Sequence, residues 1–161
     1  MSDSAPFDAK YVSLLWAGPD QAEVIAGLHA TLFDPPWSEE SVRALLDHPA
    51  STAFVALVGG APKTCVGFVM AQLAADEAEI LSIGVGKDWQ RKGIGKRLVE
   101  GVARAAQRAE AKKLHLEVAA DNDGAMELYR SCGFLGTGLR RGYYQRPGGQ
   151  AVDAVTLSLR L

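Results

Sequence analysis

The sequence has little that would support a disulfide-rich, metal-binding or nucleic-acid-binding protein. It has two cysteines, Cys65 and Cys132, without CxxC spacing, and three scattered histidines, so neither a disulfide framework nor a metal site is predicted. The net charge of −2 excludes bulk attraction to nucleic acid or to an anionic membrane. No apolar run approaches the roughly 18 residues of a membrane span, and no signal-peptide pattern is present. These absences predict a cytoplasmic protein.

Length and composition predict one globular domain. The chain has 161 residues, of which 48% are hydrophobic and 22% charged, as is ordinary for one unit with a sizeable core. We expect residues 1–161 to form that domain, with residues 1–9 as a flexible lead. Apolar periodicity separates strands from helices. The predicted strands are 11–16, 53–58, 65–73, 78–85, 114–119, 139–144 and 151–159, and the predicted helices follow Pro19, Ser38, Gly93 and residues 121–122.

The order of these elements predicts a mixed α/β sheet covered by helices. Strands first form a hairpin, then alternate with helices, and end as a second hairpin, which excludes a purely doubly wound fold. The strand–helix–strand unit over residues 78–119 should cross over in the right-handed sense, and its two strands should therefore be parallel. Ser38 and either Asp121 or Asn122 are predicted as helix N-caps, and Gly133 as a left-handed helix ending.

A cationic, glycine-rich segment, DWQRKGIGKRL over residues 88–98, lies where a strand gives way to a helix. Glycine lets the backbone approach a ligand closely, and the first N–H groups of a helix have no partner within it. This pattern indicates either a phosphate or pyrophosphate site or a plain turn before a solvated basic helix start. The GxxxxGK[ST] motif is absent, and Leu98 stands where a dinucleotide motif needs its third glycine. The candidate ligand-facing residues are Arg91, Lys92, Gly93, Ile94, Gly95 and Lys96.

Several spaced motifs resemble one enzyme family. The segment QRKGIG (residues 90–95) resembles the Q/R-x-x-G-x-G/A signature of the GCN5-related N-acetyltransferases. LEVAADNDGAMELYRSCGF (116–134), RRGYY (140–144) and PPWSEESV (35–42) are similar to stretches of that family's ribosomal-protein-alanine branch. The resemblance implies the family's fold, an α/β (α+β) arrangement with a mixed, mostly antiparallel sheet of about seven strands, about four flanking helices and a splayed parallel pair at the centre.

The resemblance also implies a set of site residues around acetyl-CoA as co-substrate, without a metal. The glycine-rich segment would hold the pyrophosphate, and the backbone of Ile83, Gly84 and Val85 would meet the pantetheine arm. The remaining implied residues are Asn122 at the cofactor, Glu117 as general base, Tyr129 as general acid, and Trp37, Glu79 and Tyr143 at the substrate. Two positions depart from the family pattern: SIGVGK (82–87) replaces N-I-A-V-D-P, and Ala119 replaces a frequent arginine.

Glu117 and Tyr129 each have a second interpretation. Glu117 lies on the opposite face of its strand from Leu116 and Val118, where it is either a base or a solvated or salt-bridged sheet residue. Glu79 is the alternative base. Tyr129 is either a proton donor or a tyrosine packed in the core with its hydroxyl satisfied. At neutral pH a protein α-amine, with a pKa of about 7.7–8.0, is far more deprotonated than a lysine at about 10.4, so one carboxylate suffices for an α-amine.

By resemblance, the expected function is transfer of an acetyl group from acetyl-CoA to a protein N-terminal α-amine by direct attack in a ternary complex. The implied acceptor is the N-terminal alanine of a small-subunit ribosomal protein. Glu39, Glu40 and Asp47 either attract a basic ribosomal tail or only cap and solvate a helix. Two alternative functions are acetylation of a small-molecule amine, such as an antibiotic or polyamine, and a non-catalytic acyl-CoA-binding module. We expect a monomer or weak dimer without nucleic-acid or membrane partners.

Overall fold

A computed structural model describes residues 7–60 and 62–161, so most of the predicted lead, residues 1–6, lies outside the described residues. The strands are β1 (Ser13–Trp16), β2 (Ser51–Val58), β3 (Thr64–Ala74), β4 (Glu77–Val85), β5 (Lys113–Ala119), β6 (Leu135–Gln145) and β7 (Ala151–Arg160). The helices are α1 (Ala22–Leu32), α2 (Glu39–Asp47), α3 (Ile94–Arg108) and α4 (Asp123–Ser131).

Side-chain caps set the ends of the helices much as the sequence predicts. Ser38 begins α2 because its hydroxyl accepts a hydrogen bond from the Ser41 N–H. Asn122, and not Asp121, caps α4, since its side chain accepts from the Ala125 N–H. Beyond α4, Gly133 adopts the predicted left-handed conformation, with φ of 96°.

The first strand is shorter than the sequence predicts. Residues Ala9–Tyr11 form a 3₁₀ turn, and β1 begins at Ser13. The reason is local: the Asp8 carboxylate accepts a hydrogen bond from the Lys10 N–H and caps this turn, which an apolar pattern does not reveal. The prediction of a strand from residue 11 was therefore wrong by two residues at its start.

The seven strands form one sheet in the order β1-β2-β3-β4-β5-β7-β6. Neighbours are antiparallel except β4 and β5, which are parallel as predicted. Their pairing covers only the three positions Glu77–Glu79, opposite Lys113–His115. A bulge in β4 places Leu81 as an extra residue opposite β3, and bulges bend a strand away from its neighbour. The pair therefore splays, and the predicted fold is confirmed.

Helices cover both faces of the sheet. On one face α3 packs against β2, β3 and β4, and α4 packs against α3. On the other face α1 and α2 pack against β2, β3 and β4. Leu116 and Val118 of β5 belong to the core beneath α3 and α4. Because side chains alternate along a strand, Glu117 faces the side of α1 and α2.

Candidate active site

The glycine loop, residues 86–93, follows β4 and leads into α3. Two of its residues are left-handed, Arg91 with φ of 59° and Gly93 with φ of 86°. The Gln90 side chain donates a hydrogen bond of 2.9 Å to the Val85 carbonyl, which ties the loop to the end of β4. Successive left-handed and right-handed residues turn backbone N–H groups toward one side, as anion-binding loops require.

The first turn of α3 presents unpaired amides beside this loop. The Arg97 N–H donates to the Gly93 carbonyl and is the first main-chain bond of the helix, so the N–H groups of Ile94, Gly95 and Lys96 have no helical partner. The side chains of Arg91, Lys92 and Lys96 are exposed around these amides. The loop therefore has the donors, the positive charge and the helix dipole that suit a diphosphate.

Arg97 differs from the other cationic residues of this segment. Its guanidinium donates hydrogen bonds to the Ala9 carbonyl at 2.6 Å and to the Val12 carbonyl at 3.4 Å. Its charge is therefore used within the protein, and only three cationic side chains of the segment face solvent at the loop.

The splayed part of β4 contains Ile83, Gly84 and Val85, where no pairing with β5 remains. The freed backbone of β4 is a template for a ligand that adds to a strand edge. Gly84 is required here by packing, because an added Cβ would lie 2.7 Å from Leu32 Cδ1 and 2.8 Å from Phe68 Cε1. The departure from the family's alanine is thus explained by side chains that already occupy the methyl's space.

Glu117 lies on β5 beyond the last residue that pairs with β4, beside the gap that opens between the two strands. Its two carboxylate oxygens differ in their contacts. Oε1 is 3.1 Å from the Arg140 guanidinium. Oε2 is buried and has no hydrogen-bond partner among the described residues. A buried carboxylate oxygen without a donor is costly, so this atom is suited to a donor that arrives with the substrate. The salt-bridged interpretation of Glu117 is correct for one oxygen and leaves the other available.

Tyr129 lies on the opposite face of the sheet from Glu117. It belongs to the core beneath α3 and α4, is 5% exposed, and its ring lies 5.8 Å from that of Phe134 between centroids. None of the hydrogen bonds in the described ranges involves its hydroxyl. Burial strongly raises the pKa of Tyr129, so the phenol stays protonated at neutral pH, as a proton donor must be.

The hairpin of β6 and β7 brings further polar residues to Glu117. The register of β6 shifts between Arg140 and Tyr144. Tyr143 is 54% exposed, with the Arg140 guanidinium 5.1 Å from its ring centroid. Tyr144 is half-buried, and burial first and the Glu117 carboxylate second raise the pKa of its hydroxyl. The charge of Glu117 thus acts on the hydroxyl of Tyr144, a tyrosine that the sequence does not distinguish from Tyr143.

A bidentate ion pair fastens this hairpin to the start of α4. Arg146 donates to the two carboxylate oxygens of Asp121 at 3.1 and 2.6 Å, and this contact lowers the pKa of Asp121. Asp121 directly precedes Asn122, the N-cap of α4. The pair thus joins the side of the gap with Asn122 to the hairpin with Arg140 and Tyr144, a contact that sequence spacing does not predict.

The remaining predicted substrate residues lie on two elements at the face of Glu117. The Trp37 N–H, in the segment between α1 and α2, donates a 3.1 Å hydrogen bond to Nδ1 of the buried His29, whose ring stacks on Trp37 at 5.0 Å. Glu79 is half-buried at the last paired position of β4, opposite His115. Trp37 and Glu79 thus lie on the same face of the sheet as Glu117. The structure also shows two contacts of the hairpin, Arg140 with Glu117 and Arg146 with Asp121.

The fold is that of an acyl-group transferase, and comparison with known families assigns the chain to the same class of enzyme. The model of the acetyltransferase (GNAT) family matches residues 22–134, and the chain belongs to this family.

Individual relatives extend the comparison. The N-alpha-acetyltransferase RimI of Mycobacterium tuberculosis is 37% identical over 136 residues, which cover 81% of this chain and 82% of that protein. The crystal structure of the ribosomal-protein-S18-alanine N-acetyltransferase from Escherichia coli aligns with a TM-score of 0.83 at 27% identity, over 92% of this chain and 93% of that one. NAA60 of Arabidopsis thaliana in complex with acetyl-CoA shares the fold, with a TM-score of 0.80, 20% identity and coverage of 93% and 98%.

No helix within residues 7–60 and 62–161 combines the length and the apolar character that crossing a membrane demands. In the same ranges, no three His, Cys, Asp or Glu side chains are grouped as a metal ion would need.

Proposed function

We propose that the chain, as a single catalytic domain, transfers an acetyl group from acetyl-CoA to the N-terminal α-amine of a protein. The acceptor we propose is the N-terminal alanine of a small-subunit ribosomal protein, met in the cytoplasm by a monomer or weak dimer. The observation that carries the proposal is the unpartnered, buried Oε2 of Glu117 beside the gap, with the Tyr129 hydroxyl on the other face. The similarity to RimI and to the S18-alanine enzyme supports the choice of acceptor.

The glycine loop and the edge of β4 are the proposed coenzyme site. The free amides of α3 and the exposed Arg91, Lys92 and Lys96 suit the diphosphate, and the unpaired backbone from Ile83 to Val85 suits the amides of the pantetheine arm. Asn122 reaches the same region from the start of α4. This placement puts the thioester in the gap between β4 and β5.

Glu117 is the proposed general base. Its Oε2 accepts a proton from the incoming α-ammonium, directly or through water, and the freed amine nitrogen attacks the thioester carbonyl carbon. Arg140 occupies Oε1 and so leaves one oxygen for this transfer. The C–N bond forms as the C–S bond breaks, the nitrogen loses its second proton to solvent as the amide forms, and the acetyl group passes to the acceptor without a covalent enzyme intermediate.

Tyr129 is the proposed proton donor to the leaving sulfur. When the C–S bond breaks, the thiolate of coenzyme A takes the phenolic proton, and coenzyme A leaves as a thiol. A phenol at its ordinary pKa of about 10 is already protonated at neutral pH, and burial of Tyr129 holds it in this neutral form. Trp37, Glu79, Tyr143 and Tyr144 border the side from which the acceptor enters.

The proposal is tested by measuring turnover and coenzyme affinity separately. Glu117→Gln should lower kcat by about 10²–10⁴-fold, Tyr129→Phe by a smaller factor, and neither should change the Kd for acetyl-CoA by more than about threefold. Glu127→Gln, on the exposed face of α4, is the matched control. A greater kcat loss in Glu79→Gln than in Glu117→Gln would move the base to Glu79, and full activity in both Glu117 and Tyr129 variants would refute the site.

The acceptor class is tested with a panel of different amines. One peptide carries a free N-terminal alanine and a basic tail, a second is blocked at its α-amine and carries a lysine, and spermidine and an aminoglycoside represent small amines. We expect labelled acetyl transfer to the first peptide. Preference for spermidine or the aminoglycoside would identify a small-molecule enzyme, and coenzyme binding without transfer to any amine would identify a non-catalytic module.

A further inference from the structure

The N-terminal arm, residues 7–12, lies against the glycine loop and α3. Arg97, in the first turn of α3, donates to the carbonyls of Ala9 and Val12 at 2.6 and 3.4 Å. The ring of Phe7 meets the ring of Trp89, within the loop, edge to face at 5.4 Å between centroids. The arm therefore contacts both the loop and the helix that together present the unpaired amides.

A further contact falls on the left-handed glycine of the loop. A Cβ built on Gly93 would lie 3.3 Å from Ala9 Cβ, so the arm passes directly over this residue. Gly93 has φ of 86°, a conformation that determines the direction of the amides that follow it. A chain segment packed on Gly93 restricts the other conformations that glycine would otherwise adopt.

The hydrogen bonds of Arg97 hold its guanidinium against the arm. The other cationic side chains of the segment are exposed. Its planar fork matches two carbonyls at once, which a lysine ammonium does not do with the same geometry. Each carbonyl belongs to the arm, whereas the side chains of Lys96 and Arg91 are exposed. Arg97 thereby links the arm to the helix end and does not add to the exposed charge.

We propose that Arg97 and the arm brace the glycine loop in its coenzyme-binding conformation, so that Arg97 is a positioning residue and not a phosphate ligand. This inference rests on the proposed coenzyme site. A loop that is already ordered loses less conformational freedom when it binds. Release of the arm therefore weakens coenzyme binding without removing any group that touches the coenzyme.

The test uses the full chain with Arg97→Met, Phe7→Ala and both changes together. Titration calorimetry with coenzyme A should show about a three- to tenfold weaker Kd for each single variant, and about the same loss in the double variant, because both changes release one brace. Amide exchange of residues 89–96 in the ligand-free chain should become faster in each variant. Arg104→Met, exposed on the same helix, and Tyr11→Ala, 74% exposed on the same arm, are the controls.

Each of the other possible results would overturn either the brace or the proposed function. Unchanged Kd values in the variants overturn the brace, as does unchanged amide exchange in the loop. Losses that multiply in the double variant show that Arg97 and Phe7 act independently, and they overturn a single shared brace. Absence of coenzyme binding by the wild-type chain overturns the proposed function itself. If Arg97→Met does not fold, Phe7→Ala, at a residue 37% exposed, decides by the same two measurements.

Discussion

A methyl group added at Gly84 should destabilise the protein because the space beside β4 is already filled. The new Cβ would lie 2.7 Å from Leu32 Cδ1 and 2.8 Å from Phe68 Cε1, inside the about 3.5–4.0 Å at which carbon atoms attract. Leu32 is half-buried and can turn its methyl away, whereas Phe68 is 0% exposed and cannot. Overpacking costs about 1–3 kcal/mol, and replacing a strand glycine gains about 0.5–1 kcal/mol. The free energy of unfolding should therefore fall by about 1 kcal/mol, within the range of about 0–2.5 kcal/mol that these two values span.

The assay is urea denaturation followed by circular dichroism. Gly27→Ala is the matched control, because no atom lies within 4 Å of its added Cβ, and this exposed helix position should gain about 1 kcal/mol. Combining Gly84→Ala with Phe68→Leu should recover about 1 kcal/mol relative to the sum of the single changes. A Gly84→Ala protein as stable as wild type, or strict additivity with Phe68→Leu, would refute the packing argument.

Two further changes in stability follow from the structure. Burial lowers the pKa of His29 below its usual 6.5. The unfolded chain therefore takes up a proton at a higher pH than the folded chain does. The free energy of unfolding should fall as the pH drops below about 6.5, and it should fall less in His29→Asn. If the free energy of unfolding, measured in urea, fell by the same amount between pH 7.5 and 5.5 in both proteins, this prediction would be contradicted. Gly133→Ala places a side chain at a φ of 96° and should lower the free energy of unfolding by about 1–2 kcal/mol. Gly124→Ala, with open space around its Cβ, should not destabilise the protein. Equal urea-unfolding midpoints for the two variants would contradict the strain at Gly133.

The elements that periodicity and capping control were predictable from the sequence. The alternation around Glu117 identified its face, because the apolar neighbours on its strand must enter the core. The parallel pair followed from the length of the crossover, and its splay from the family resemblance. Asn122 and Ser38 cap their helices through local hydrogen bonds, and such contacts act within a few residues.

Contacts between distant segments were not predictable. Arg97 and Ala9 are separated by 88 positions, and in the sequence Arg97 is indistinguishable from its cationic neighbours. The bidentate contact between Asp121 and Arg146 depends on the path of the hairpin. The register shift in β6 interrupts the alternation on which a choice between Tyr143 and Tyr144 would depend. Such pairings need three-dimensional positions, which a single sequence does not contain.

In the proposed mechanism, the placement of Glu117 and Tyr129 on opposite sides of the sheet separates the choice of acceptor from the release of the thiol. Trp37 of the α1–α2 segment, which the proposal places beside the amine, packs in a core cluster separate from the one that contains Tyr129, so residues of that segment can be exchanged without disturbing the core that surrounds the phenol. A descendant of this chain can therefore acquire a new acceptor through changes on one side alone, while the chemistry of the departing coenzyme is inherited unaltered.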